Sequence, residues 1–260
     1  MSMTTTVLRP RTSLFSAIAL AVFLLPLAAR ADFHIRSPDE IDQGEYELEH
    51  NGSATIDRNP AKGGETSYTA EFGYGVNSWW HPELELDFGR DAGLGETTHF
   101  QAVTWENTFM LTEPGEYWAD LGLYWEYSYS TLSGTPDDTL FGPLIQKDIG
   151  HTTHTLNLFL SKEIGPNQDV PGLDFSYAWQ SRWNIFQLAS PAVEIYGDAG
   201  RTSPFARFQN QQLIAGPVVV GSVLLGKLGK LNYEAGYLFG ATRATASGTV
   251  RWRLEWEMHF

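Results

Sequence analysis

The last thirteen residues, Gly248 to Phe260, constrain the fold more than any other stretch of the chain. From Val250 onward, Val250, Trp252, Leu254, Trp256, Met258 and Phe260 are apolar, while Arg251, Arg253, Glu255, Glu257 and His259 between them are polar or charged. Successive strand side chains point to opposite faces, so the segment has one wholly apolar and one wholly ionic face. A strand of a soluble sandwich can alternate too, but it seldom carries two Trp, a Leu, a Met and a Phe on one side of a final strand.

This segment resembles the closing strand of a bacterial outer-membrane β-barrel, a class that typically ends in an alternating strand with a terminal Phe or Trp. The resemblance implies that Phe260 is an assembly signal read by the barrel-insertion machinery. It also implies that the apolar faces meet outer-membrane lipids. The start of the chain points to the same Gram-negative envelope. Arg9 and Arg11 precede an apolar run from Leu14 to Ala29, and Ala29-Arg30-Ala31 fits a small-x-small cleavage site. That run is shorter than the roughly 20 residues a spanning helix needs. Residues 1–31 therefore read as a cleaved signal peptide, and residues 32–260 as a single barrel domain.

Charge and composition narrow the function classes. The leader holds three Arg and no acid, which leaves 14 basic against 31 acidic residues in the mature chain, a net of −17. That argues against nucleic acid as a partner. The absence of Cys excludes disulfides, thiol catalysis and lipid attachment through an N-terminal Cys. The longest apolar stretch of the mature chain, Leu213 to Leu225, is too short to span as a helix and contains Gly216-Pro217.

Alternating segments recur along the mature chain. Asp32 to Gln43 is polar and reads as an extended periplasmic lead-in. Strands are then expected from Gly44, broken by a turn or bulge at Asn51-Gly52, and over 65–76, 83–88, 100–111, 117–129, 139–147, 151–163, 173–186, 192–198, 208–225, 231–241 and 250–260. Pro143 cannot donate a ladder hydrogen bond, which places it at a bulge or strand end. Phe159 falls on an otherwise polar face, and 208–225 is the least clear strand. The count predicts an all-β, up-and-down antiparallel transmembrane barrel of about twelve strands, with ten or fourteen also compatible. Short turns alternate with longer polar loops, as in outer-membrane barrels. Trp79 and Trp80 in a short turn, with Trp252 and Trp256 in the last strand, are membrane-interface candidates.

A Lys or Arg on the lipid face at mid-bilayer costs about 2–4 kcal/mol, and Asp or Glu somewhat less. The charged positions therefore line the lumen: Glu45, Glu47 and Glu49; Glu71; Glu83, Glu85 and Asp87; Glu106; Asp120 and Glu126; Arg182; Glu234; and Arg251, Arg253, Glu255 and Glu257. Arg251 and Arg253 are expected to face Glu45 to Glu49 where the barrel closes. Acids so outnumber bases that complete pairing is excluded, so some carboxylates must be hydrated, protonated or cation-bound. One reading is an acid-lined channel passing or binding small solutes, cations or polar neutral molecules. The other is a narrow barrel closed by its own internal networks. Inward glycines (73, 75, 89, 122, 236 and 240) would widen the lumen or let strands bend.

Nothing in the sequence specifies catalytic residues, a cofactor or a metal. His151 and His154 lie on opposite strand faces, no His-x-Ser occurs in the mature chain, and Asp137 and Asp138 lack the spacing of a calcium loop. An enzyme, such as a lipid-modifying one, is not expected. The Glu-rich alternating strands, Gly-rich turns and aromatic ends resemble the small transporter-like, porin-like barrels encoded near aromatic-compound degradation pathways. That likeness implies passage or binding of a small solute at the cell outer membrane. A non-conducting structural or stress-associated barrel is the alternative.

Overall fold

The computed structural model describes residues 33–38, 42–93, 96–165 and 172–259; residues 1–31, expected to be a leader, and Phe260 lie outside the described residues. The strands are β1 (Glu45–Ile56), β2 (Thr66–Tyr74), β3 (Trp80–Arg90), β4 (His99–Met110), β5 (Asp120–Ser130), β6 (Asp137–Ile149), β7 (Thr152–Ile164), β8 (Asp174–Trp183), β9 (Ser190–Arg201), β10 (Gln212–Leu224), β11 (Lys230–Gly240) and β12 (Gly248–His259). Each pairs with its neighbours in sequence, and β12 returns antiparallel to β1. The fold is therefore a closed, twelve-stranded, up-and-down antiparallel barrel. Closure leaves no unpaired sheet edge.

The outward face carries exposed Phe72, Leu84, Leu86, Trp105, Leu123, Trp125, Phe141, Val219 and Val250. The inward face buries the acids and arginines that alternate with them. Connections of two to six residues at 75–79, 150–151, 184–189 and 225–229, with a nine-residue one at 111–119, mark one end of the barrel, the short-turn end. The connections from β1 to β2, β3 to β4, β5 to β6, β7 to β8, β9 to β10 and β11 to β12 mark the other, the loop end.

Several local expectations are corrected. Residues 117–119 belong to a turn, with Tyr117 and Trp118 exposed, because β5 begins only at Asp120. Pro143 sits inside β6 without a bulge. It keeps its register with β5, and only the pairing to β7 lapses, at Gly142 and Pro143. Pro217 repeats the arrangement: continuous pairing with β9, and a lapse toward β11 at Gly216 and Pro217. A Gly-Pro pair thus spares one ladder the missing donor by skipping the contact on that side alone. Asn51-Gly52 is neither turn nor bulge, since β1 runs through it to Ile56. Gly52 faces out under the indole of Trp252, where an added Cβ would lie 2.2 Å from the ring.

The inner wall is not uniformly polar. Tyr124, Leu144 and Phe159 form one buried apolar cluster there, which accounts for Phe159 on a polar face. Ala178, Ala192, Tyr196, Ile214, Val218 and Leu238 form a second, and the seventh buried member is Ile35. Ile35 belongs to the segment expected to lie outside the barrel. Residues 33–38 instead run inside the lumen, because their own alternation matches the wall.

Candidate functional site

The internal segment is an extended, two-faced strip. Phe33 and Ile35 turn toward the apolar patch of β8 to β11. The Phe33 ring meets Tyr196 edge-on at 5.2 Å, and Ile35 joins the buried cluster. Burying a side chain of that size stabilises by about 1.5–3 kcal/mol. His34 and Arg36 turn the other way, toward β1 to β5. The Arg36 guanidinium donates to both oxygens of Glu106 at 3.1 and 3.0 Å and lies 4.3 Å above the Tyr124 ring. Its peptide is held by Asn157, which accepts from the Arg36 amide at 2.9 Å and donates to its carbonyl at 2.7 Å. Asn157 thereby gives one residue of the strip the pairing a neighbouring strand would give. Ser37 donates to Gln146 at 2.7 Å. Pro38 packs over Gly122, where an added Cβ would stand 2.9 Å from the proline.

Beside the strip, two arginines of β12 organise the wall acids. Arg253 donates to Glu49 at 2.5 Å, contacts Glu255 at 2.6 Å and lies 3.8 Å from Glu234. Arg251 forks onto Glu194 at 2.8 and 2.6 Å and also donates to Glu234. Gln180 adds a 2.8 Å bond to Glu194. The expected pairing with β1 thus holds for Arg253 and fails for Arg251, whose side chain crosses the lumen to β9. Glu194 was absent from the expected lining set. It alternates with Val193 and Ile195 as the others do, and it is fully buried.

The remaining lining candidates distribute by height. Glu45 and Glu257 stand at the short-turn mouth, with His259 3.5 Å from Glu45 and Lys230 2.7 Å from Glu257. Asp120 accepts from the Gly115 amide at 2.6 Å, and Arg182 bonds Asn184 at 2.8 Å. Glu47 and Glu83 cluster with His81, and Glu71, Glu85 and Glu106 form a buried triad. Asp87 accepts from Thr104 at 2.8 Å and Glu126 from Tyr124 at 2.6 Å, farther toward the loops. Two inward glycines make room for neighbours: Gly73 for His81 and Gly122 for Pro38. Trp79 and Trp80 stack at the short-turn end, and Trp256 donates to Leu228 in a turn at the same end. Trp252 lies away from the strand ends, over Gly52 and beside Tyr68.

Two cavities flank the strip inside the lumen. One, of about 580 Å³, opens toward the short turns and includes Ser37, Asp42, Glu45, Arg182, Lys230, Glu255 and Glu257 in its lining. The other, of about 510 Å³, opens toward the loops and includes Phe33, His34, Lys62, Glu65, Glu126, Asp138 and Asp198. Residues 33–37 lie between them. The missed signal was short but present: Phe33-His34-Ile35-Arg36 alternates apolar with basic, the complement of a wall that is apolar on one side and acidic on the other.

Fold and site together define a closed antiparallel barrel with an acidic, internally strapped lumen. No family model matches the chain, and no curated protein does. Among solved structures, a "Bacterial polysaccharide outer membrane secretin" superposes with a TM-score of 0.41 and 7% identity, over 84% of this chain and 99% of that one.

Proposed function

We propose that this chain is an outer-membrane barrel that passes small solutes, cations by preference, and that residues 33–38 keep its lumen shut at rest. The observation that carries the reading is a single extended strip lying inside an acidic lumen, with a cavity on either side of it. A belt of exposed apolar side chains around a closed barrel supports the membrane setting, because strands can cross hydrocarbon only when every backbone group is paired. Acids lining both cavities support cation preference, since fixed carboxylates concentrate counter-ions at a pore.

The test is planar-bilayer recording on refolded protein and on a variant with residues 33–38 replaced by a Gly-Ser linker. Expected are rare, small openings for the native chain and a sustained, cation-selective conductance for the variant. Resistance to SDS until boiling verifies that the variant barrel has closed. A closed but silent variant would favour the reading as a non-conducting structural barrel, which the density of ion pairs across the lumen also fits.

A further inference from the structure

We infer that the lumen holds a first-row divalent metal ion, Zn²⁺ or Mn²⁺ in class, bound between His34 of the internal strip and Glu49 and Glu71 of the wall. One potential ligand atom from each of these three residues lies within 4.8 Å of the other two, and all three side chains are buried. The feature that points to a ligand is His34. It is 7% exposed, and neither ring nitrogen has a hydrogen-bond partner. Its Nδ1 stands 3.5 Å from Glu49 Oε1. That spacing is close to the ~3.4 Å edge of a tetrahedron around an ion with bonds of about 2.1 Å.

The carboxylates are held as ligands are. Asn51 donates to Glu49 Oε1 at 2.5 Å and to Glu71 Oε1 at 2.9 Å, and Thr69 also donates to Glu71 Oε1. These bonds fix one oxygen of Glu71 and leave its Oε2 buried without a partner. Such outer contacts orient metal ligands in known sites. Glu71 also belongs to the adjoining triad with Glu85 and Glu106, and Glu85 Oε2 is likewise buried without a partner. A proton shared between Glu71 and Glu85 would relieve those two carboxylates but would leave both nitrogens of His34 bare. A metal ion would take up one imidazole nitrogen together with the carboxylate oxygens, leaving only the second ring nitrogen, protonated, without a partner. An imidazole in the donor set favours zinc-like ions, whereas Ca²⁺ and Mg²⁺ favour oxygen ligands alone.

The site joins the strip to β1 and β2, so the ion would act as a latch. The latch role rests on the strip being the closure; the binding of the ion does not. The experiment uses the full chain, refolded, stripped with chelator and titrated with Zn²⁺ by calorimetry, with Ca²⁺ as competitor. About one tightly held Zn²⁺ per barrel is expected, unaffected by Ca²⁺, with affinity at least tenfold weaker in both His34→Ala and Glu71→Gln. X-ray absorption of the zinc-loaded native protein should show a mixed nitrogen and oxygen shell, independently of how the variants fold. No tight zinc, binding unchanged by His34→Ala in a barrel that still resists SDS, an all-oxygen shell, or equal competition by Ca²⁺ would each refute the site. Zinc binding in a barrel that conducts identically with and without the ion would keep the site and remove the latch.

Discussion

Arg251 is 1% exposed, and its guanidinium serves Glu194 and Glu234 together. Removing one partner of a buried ion pair is costly mainly because the other is left charged and unpaired. Arg251→Met should therefore destabilise the barrel by about 3–5 kcal/mol, and Arg251→Met with Glu194→Gln by clearly less than the sum of the single changes. Urea unfolding of refolded protein measures both; strict additivity would mean the pair is not coupled. Gly52 gives a steric counterpart. Its missing side chain makes room for the Trp252 indole, so Gly52→Val should cost about 1–3 kcal/mol through overpacking. Much of that loss should be recovered when Trp252→Ala is added. The inward placement of both arginines was legible in the sequence, because period two leaves a charged residue only one face. The strand whose acid Arg253 meets was legible too, whereas the acids that Arg251 meets were not. Strand alternation fixes a direction, whereas partner choice across a lumen depends on register and on how far a side chain reaches.

At the level of elements, the strip and the loops behave differently. The strip passes over Gly122, where Pro38 approaches the backbone. Gly122→Leu should push it aside without breaking a strand, and raise open probability severalfold in bilayer recordings. An unchanged open probability would show that the strip does not close the lumen. At the loop end of the β1–β12 seam, Asp57 accepts from the Ser247 amide and hydroxyl, both at 2.8 Å, and from the Asn59 amide at 2.7 Å. These bonds, led by the Asn59 amide, hold the Asp57 carboxyl below its ordinary pKa. A depressed folded-state pKa contributes order that is fully present above the unfolded value and is lost as pH falls through the folded one. Hydrogen-exchange protection factors in residues 57–65 and 241–247, referred to the intrinsic rate at each pH, should therefore fall in acid, and Asp57→Ala should show the lowered protection already at neutral pH. The strands themselves were readable because each alternates. Residues 33–38 were misplaced because a six-residue alternation next to a polar tract looks like a lead-in. Only the two-toned inner wall of β8 to β11, apolar at Ile214, Val218 and Leu238, reveals where such a strip fits.

For the molecule as a whole, the proposed conduction depends on the sign of the lumen. Glu45 stands in the lining at the short-turn end, and Glu65 and Asp138 line the cavity at the loop end. All three stand near the cavity mouths, whereas Glu106 and Glu194 are buried deep in the wall against arginines. They are therefore the carboxylates whose field would reach entering ions. Fixed charges at a water-filled mouth act over the Debye length, about 10 Å at 0.1 M salt and about 3 Å at 1 M. Cation preference in the strip-replaced barrel should accordingly be strong at low salt and weak at high salt. Neutralising Glu45, Glu65 and Asp138 together in that background should lower the cation-to-anion permeability ratio severalfold at 0.1 M and barely change it at 1 M. Reversal-potential measurements under a KCl gradient give the ratio directly. If the triple variant kept full selectivity at low salt, the preference would have to arise deeper, among Glu47, Glu71 and Glu85. There the arginines and the internal strip, rather than the mouths, would set what passes.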